Sequence, residues 1–331
     1  MTPFDSKETT ELLTHAFQSD INSDPSTVSL IIPGYNIVKP VGKGATGIVY
    51  KGIEKKSGRT VAIKVLSPES RKEKEALYRF HRELHVVSRL SHPYIIKIFG
   101  VGKDEKPYII MEYLKNSLKN VLYDQKVKLK KIDVLKTVRK LAKALEYAHR
   151  CGVIHRDIKP ANILFRANGH PVLADFGLVR AIHSKSDFTK PFSILGTPHY
   201  MSPELCRAEK SDHLSDIYSL GVVLFEMLSG KLPYNGKNFP DLFKQHLDPS
   251  IPLLPPEVKK YQPLIDGMMA KDKKNRFNAT QARIMLEKYI RDSAYDKNDS
   301  APDPKRKLLF LLLSGAVIIF IILVILIFYY I

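Results

Sequence analysis

Three glycines in the run Val41-Gly-Lys-Gly-Ala-Thr-Gly-Ile-Val-Tyr50 could bring backbone against phosphate. A Cβ at Gly42, Gly44 or Gly47 would collide with such a ligand or forbid the turn. A dinucleotide-binding turn uses the same glycines, but it opens a helix and places an acidic residue about 20 positions on to hold a ribose. Here a strand-like stretch, residues 48–51, follows, and the residue 20 positions beyond Gly44 is Lys64. Lys64 closes Val61-Ala-Ile-Lys64, a short alternating strand on which a lysine would ordinarily be solvated. A helical stripe downstream changes that reading. Leu77, Phe80, Leu84, Val87 and Leu90 recur at helical spacing over residues 75–90, and Glu83 falls on the same face. An inward carboxylate needs a cation, and Lys64 is the candidate.

The densest set of chemically capable residues is His155-Arg-Asp-Ile-Lys-Pro-Ala-Asn-Ile-Leu164, followed by Ala174-Asp-Phe-Gly177. In this order and spacing, the glycine run, Val-Ala-Ile-Lys, His-Arg-Asp and Asp-Phe-Gly resemble the eukaryotic-like Ser/Thr protein kinases, particularly the transmembrane kinases of bacteria. The resemblance covers about residues 35–290. It implies an α+β, two-lobed fold with a β-rich N-lobe and a helical C-lobe, using ATP with Mg²⁺ or Mn²⁺. Lys64 would hold phosphate oxygens, oriented by Glu83, and Asp157 would accept the proton of the attacking hydroxyl. Lys159 would stabilise the transferred phosphoryl group and marks Ser/Thr rather than Tyr kinases. Asn162 and Asp175 would chelate the metal as hard oxygen ligands.

The same resemblance places adenine against the backbone of Glu112 and Leu114, with Met111 limiting the back pocket and Val49 and Ala62 covering the ring. Thr197 would sit near Asp157, and Glu204 of Ser202-Pro-Glu204 would pair with Arg276. Asp216 would act as scaffold, because the segment it opens is apolar to Leu228 on nearly every side and so must be buried. Arg156 implies an activating phosphorylation at Thr189 or Ser193, with Ser184 and Ser186 as lesser acceptors, in trans between self-associating chains. Leu178 points to serine over threonine as acceptor. Leu118 and Ala161 stand where kinases selecting basic peptides carry acids, which leaves Glu226 as the remaining acid of that kind. One departure is Lys115-Asn-Ser-Leu118, where many relatives have a glycine-containing turn. The rival reading is a membrane-tethered pseudokinase or scaffold. Such proteins usually lose the equivalents of Lys64, Asp157 or Asp175, and all three are present. A kinase of lipids or small molecules would seldom keep the substrate segment through Glu204.

Elements must position these residues, and the chain divides accordingly. Residues 1–34 are polar, without apolar periodicity, and read as a flexible acidic leader. Stretches near Ile37 and over 48–50, 61–65, 95–101 and 108–113 are strand-like, and helices dominate from about Ile132 to 290. Residues 291–307 form a polar basic linker. Residues 308–331 carry no charge at all, and as a helix they would span about 36 Å, enough for a bilayer core of about 30 Å. They read as one C-terminal transmembrane helix. Lys305, Arg306 and Lys307 before it would keep the folded domain in the cytoplasm.

Composition agrees. Hydrophobic residues make up 44% and charged residues 26%, which fits a globular chain, and two cysteines cannot build a disulfide scaffold. The net charge is +18, made of −4 over residues 1–34 and +22 over the rest. Such a surface favours anionic partners, and membrane lipid is preferred here over nucleic acid, which is not expected as a partner. Between Lys115 and Arg150 stand eleven Lys/Arg against three acids. They read either as a solvated helix face or as a surface resting on anionic lipid.

Overall fold

In the computed structural model, which describes residues 30–44, 47–66, 84–102, 107–126, 129–176 and 198–298, the chain forms two compact units. Of the described residues, the first takes those from 30 to 66 and from 100 to 113; the second takes those from 84 to 99 and from 114 to 298. The expected division into a β-rich and a helical part is present.

The first unit is built on a five-stranded sheet of order β1-β2-β3-β5-β4. Its strands are β1 (Tyr35–Gly44), β2 (Gly47–Glu54), β3 (Thr60–Leu66), β4 (Ile98–Gly102) and β5 (Tyr108–Glu112). Pro40 lies in β1, an edge strand, beside a register shift against β2, where a missing N–H costs least. The apolar stretch at 95–101 becomes strand only from Ile98. Pro93 lies in a turn in which the Ile95 N–H is taken by the His92 carbonyl at 3.1 Å, so Ile95 makes just an isolated bridge to Leu173. Of the helix expected over 75–90, the described residues show its end, helical at 84–87, with Leu84, Val87 and Leu90 buried as the stripe requires.

The second unit holds a short sheet, β6 (Asn116–Ser117), β7 (Ile163–Phe165) and β8 (Pro171–Leu173), and, besides the helical residues 84–87, six further α-helices among the described residues. They are α1 (Lys131–Arg150), α2 (Pro203–Cys206), α3 (His213–Ser229), α4 (Phe239–Leu247), α5 (Gln262–Met268) and α6 (Ala279–Asn298). Helix α1 buries Val134, Leu135, Val138, Leu141, Ala142 and Leu145, the one-sided stripe of an amphipathic helix. Helix α3 is different. Every residue from Ser215 to Met227 is buried, as expected for a helix apolar on all sides. Its start is fixed by a capping box in which the Asp212 carboxylate accepts from Leu214 N at 2.9 Å and Ser215 Oγ accepts from Asp212 N. Gly230 in the left-handed region (φ 74°) ends it. Gly221 lets α5 approach, since a Cβ there would stand 2.8 Å from Met269 Cγ.

After Leu114 the chain turns on a side chain. Asn120 Oδ1 accepts from Ser117 N at 3.0 Å and from Ser117 Oγ at 2.6 Å, and a single π-helical turn, Asn120–Asp124, follows. Among the described residues no helix is long and apolar enough to cross a membrane. Residues 308–331, read above as the spanning segment, lie outside them, as does the 1–34 leader up to residue 29.

The expected Glu204–Arg276 pair forms in full burial. Arg276 donates to both carboxylate oxygens at 2.8 and 3.1 Å, and the Glu204 and Arg276 side chains are 1% and 0% exposed. Burial alone would raise the Glu204 pKa. The hydrogen bonds and charge of Arg276, with the Ser215 hydroxyl at 2.5 Å, outweigh it and hold the carboxyl at about 2. A carboxyl whose folded pKa lies below its unfolded value near 4.5 contributes stability that is complete above that pH. That stability is lost as the pH falls from about 4.5 towards about 2. Urea unfolding followed from pH 6 to pH 3 should therefore show a decline in the native protein that is shallower in Glu204→Gln. The variant should also be less stable at pH 7 by about 3–5 kcal/mol, as expected when one partner of a buried pair is removed.

Candidate active site

The loop between α1 and β7 carries the His155–Asn162 run, and its backbone is tied to helix α3 by one carboxylate. Asp216, 1% exposed, accepts from His155 N at 2.8 Å through Oδ2 and from Arg156 N at 2.7 Å through Oδ1. His149 Nε2, at the end of α1, lies 2.8 Å from the same Oδ2. Arg156 is thereby held at φ 66°, and Asp175 stands at φ 62°. Both are left-handed positions that cost a non-glycine residue about 1–3 kcal/mol, sustained only where neighbours over-determine them. Buried Phe176 on one side of Asp175, and Ala174 N donating to the Asn162 carbonyl at 2.9 Å on the other, supply that support.

His155 is fully buried between these two strained segments. Asp157 N donates to its Nδ1 at 3.3 Å, and its Nε2 reaches the Ala174 carbonyl at 2.9 Å. One nitrogen must accept and the other must donate, which is the pattern of a neutral imidazole. Burial first of all holds the ring's pKa below its usual value, against the pull of Asp216 and Asp157. The Phe176 ring packs 4.4 Å from it. His155 thus links the segment bearing Asp157 to the segment bearing Asp175.

Asp157, Lys159 and Asn162 come together. Asp157 Oδ2 accepts from Asn162 Nδ2 at 2.8 Å and lies 2.9 Å from Lys159 Nζ. Asn162 Nδ2 also donates to the Asp157 carbonyl at 2.8 Å. With both its N–H bonds spent on Asp157, the Asn162 amide presents Oδ1 elsewhere, and its backbone is bonded to the residue before Asp175. The Asp157 and Lys159 side chains remain 26% and 19% exposed, so the cluster meets solvent. Among the described residues no three His, Cys, Asp or Glu side chains stand together as a closed metal cage. An amide oxygen and a carboxylate on adjoining segments instead suit a hard cation completed by water and phosphate oxygens.

The first unit carries the other expected residues on one face of its sheet. Val49 pairs with Lys64 across β2–β3, Ala62 pairs with Met111, and Lys64 pairs with Ile109 across β3–β5. Residues directly opposite in antiparallel strands share a face, so Val49, Ala62, Lys64 and Met111 do. Gly42 pairs with Val49 and Gly44 with Gly47 at the β1–β2 turn. Gly47 is demanded by the protein itself, at φ 148° with the Val65 carbonyl standing where a Cβ would need room. Gly42 and Gly44 differ, because a Cβ on either would meet nothing of the protein within 4 Å. Lys64 is 3% exposed. Glu112 ends β5 and Leu114 follows two residues later. Glu83, Gly177, Leu178, Thr197 and the acceptors Ser184, Ser186, Thr189 and Ser193 lie outside the described residues.

Two tyrosines escaped the sequence reading. Tyr123 donates to Glu226 Oε1, and Tyr200 donates to Glu226 Oε2 at 2.7 Å. Burial raises the Glu226 pKa against these two bonds, and burial followed by the bond to Glu226 pushes Tyr123 to about 12. Tyr123 and Glu226 are 103 positions apart, and no local pattern joins them.

Residues 35–289 match the family model of the protein kinase domain. The chain is 35% identical over 249 residues to the probable serine/threonine-protein kinase PknB of Lactococcus lactis, covering 73% of this chain and 40% of that protein. It is 34% identical over 248 residues to the serine/threonine-protein kinase PknL of Mycobacterium tuberculosis, covering 75% of this chain and 62% of that one. The chain thus spans only part of the length of the curated relatives it matches. Among solved structures, the PknI kinase domain of Mycobacterium tuberculosis superposes with a TM-score of 0.62 at 26% identity, covering 78% of this chain and 97% of that one.

Replacing Asp216 by alanine would strand two buried backbone donors. Asp216→Ala should lower unfolding stability by about 2–4 kcal/mol, each buried unsatisfied group costing about 1–3. The amides of His155 and Arg156 should exchange with solvent markedly faster, as read by hydrogen exchange with mass spectrometry. Unchanged exchange there would mean the loop does not depend on this carboxylate.

Proposed function

The chain belongs to the protein kinase family, and from that premise we propose that it transfers the γ-phosphoryl group of ATP to serine and threonine hydroxyls of proteins. The observation that carries this reading is the Asp157–Lys159–Asn162 cluster on its strained, anchored loop. Among the described residues Asp157 Oδ1 is left to accept the hydroxyl proton, while Lys159 and Asn162 hold Oδ2 and fix the carboxylate plane. Lys159, on the same carboxylate as the incoming hydroxyl, is placed to neutralise charge on the phosphoryl group in flight. Asn162 Oδ1 and the Asp175 carboxylate would hold Mg²⁺ or Mn²⁺. When bound, the ion would supply charge neutralisation to phosphate oxygens.

In the first unit, Lys64 would engage phosphate oxygens, with Glu83 as its orienting partner. Gly42 and Gly44, where a side chain would meet only what approaches from outside, would admit the phosphates. Val49, Ala62 and Met111 on the Lys64 face would cover adenine, with the Glu112 and Leu114 backbone on its edge. The Lys64, Asp157 and Asp175 set favours catalysis over a scaffold role. We further read residues 308–331 as a membrane span, with Lys305, Arg306 and Lys307 holding the kinase domain at the cytoplasmic face.

Purified protein with labelled ATP and Mg²⁺ tests the central reading. Asp157→Asn and Asp175→Asn should each lower turnover by roughly three orders of magnitude, the scale of single charge-handling groups in phosphoryl transfer. Full autophosphorylation by either variant would sink the mechanism.

Arg156 beside Asp157 supports activation by phosphorylation at Thr189 or Ser193 in a neighbouring chain, since a phosphate and a guanidinium form strong charge-assisted bonds. The Thr189→Ala/Ser193→Ala pair should leave activity low and without a lag. Activity equal to the parent would rule this out.

Protein substrates should not need basic residues, and serine should be preferred over threonine on the strength of Leu178. Glu226, the acid that could select arginine, already accepts two tyrosine hydroxyls. On a peptide array the parent should show no arginine requirement. Tyr123→Phe should raise turnover of arginine-containing peptides about fivefold, the scale of one exposed ion pair. A parent that demands upstream arginine would refute this account of Glu226.

A further inference from the structure

Helix α1 gathers cations that the fold does not neutralise. Lys136, Arg139, Lys140, Lys143 and Arg150 follow one another along its outer side, opposite the buried stripe. Among the described residues Lys136, Arg139 and Lys140 form no ion pair within 4 Å, and Arg139 Nε is buried without a hydrogen-bond partner. Of the nearby acids, Asp133 stands exposed in the first turn of α1, and Glu146 and Glu287 are committed on the side of α6. Glu146 accepts from Thr280 at 2.7 Å and Arg283 at 2.9 Å, and Glu287 takes Arg283 at 2.9 Å with Lys143 more distant at 3.7 Å. The cations therefore act mostly on one another. Burial, then the charges of Arg139 and Lys136, lower the Lys140 pKa; burial, then Lys143 and Arg150, lower that of His92.

Amphipathic rings are interleaved with this stripe. Lys140 Nζ lies 5.8 Å from the Tyr94 ring centre, Tyr94 meets His170 edge-on at 5.7 Å, and His92 stacks on Tyr147 at 5.2 Å. Rings of this kind suit a boundary between water and headgroups. The path of the chain also leads there. Residues 143 and 146 of α1 meet 287 and 283 of α6, so the helices run antiparallel and α6 returns toward the Lys136 end of α1. Nine residues, 299–307, then separate α6 from the uncharged segment, at most about 30 Å of chain. Three of them are Lys305, Arg306 and Lys307.

We infer that the outer face of α1, with Tyr94 and His92 beside it, docks on the anionic surface of the bilayer that holds residues 308–331. The inference rests on the membrane-span reading and adds to it a defined face of the kinase domain. Docking replaces mutual repulsion among the cations by attraction to lipid phosphates, and the short tether keeps the face at the surface.

The test uses the full chain incorporated into vesicles of phosphatidylcholine alone or rich in phosphatidylglycerol, with lysines labelled by a membrane-impermeant acylating reagent and read by mass spectrometry. In anionic vesicles Lys136 and Lys140 should label about fivefold less than in neutral ones. About 0.5 M salt, which shortens screening to a few ångströms, should restore them, while Lys237 stays constant throughout. Lys136→Glu/Lys140→Glu should lose the salt-sensitive protection of Lys143 and keep the parent's peptide phosphorylation. Equal labelling in both vesicles, equal protection in neutral vesicles, or protection by added RNA in place of anionic lipid would each overturn the inference. Carbonate extraction separates the two readings. A chain retained but evenly labelled keeps the span and loses the face; a chain released yet still protected by anionic lipid loses the span and keeps the face.

Discussion

The carboxylate of Asp216 is the constraint on which the loop bearing Asp157 depends. It sits in the first turn of a helix buried on every side, so it cannot be solvated and must be satisfied by donors of the protein. The donors it takes are the backbone N–H groups of His155 and Arg156 and the ring of His149. Through them the helical core dictates the path of the chain immediately before Asp157. The left-handed Arg156 is tolerable because its N–H gains a short, charge-assisted bond that no relaxed conformation would supply.

From that anchor the order passes outward through single hydrogen bonds. His155, neutral and buried, spans Asp157 N and the Ala174 carbonyl, joining the loop to the segment of Asp175. Asn162 closes the ring by bonding Asp157 twice and receiving Ala174 N on its own carbonyl. Asp157, Asn162 and the segment of Asp175, the proposed proton acceptor and metal ligands, are therefore parts of one network. Such preorganisation is what the proposed phosphoryl transfer would need, since positioning and charge neutralisation supply nearly all of its rate. The Glu204–Arg276 pair plays a different part. It fixes α2 to the segment before α6 and borrows Ser215 from the same helix start that presents Asp216.

Electrostatics divides the second unit by environment. Inside, Asp216 and Glu204 each have geometric partners. On the outer face of α1, like charges are gathered with their acids engaged elsewhere, an arrangement stable only because water screens it and useful only toward an anion. Glu226 lies between these regimes. Burial discourages its ionisation, and the hydroxyls of Tyr123 and Tyr200 occupy its oxygens, so an acid that reads as a recognition group is internally satisfied.

Much of this was legible along the chain, because the information is local. The alternation of Val61-Ala-Ile-Lys64, the all-round apolarity after Asp216 and the spacing of Asp157, Lys159 and Asn162 each describe one strand, one helix or one loop. Period and residue type decide such elements. The uncharged run at 308–331 is readable for the same reason. Other features depend on residues brought together across long separations, which no period encodes. The tyrosine cap on Glu226 and the link of His155 to Ala174 arise only when burial leaves a polar group few available partners. So does the distinction between Gly47, which the backbone of Val65 requires, and Gly42 and Gly44, which face open space. Sequence determined the elements and the chemical inventory; packing decided which polar groups must satisfy one another, because only burial removes water as the alternative partner.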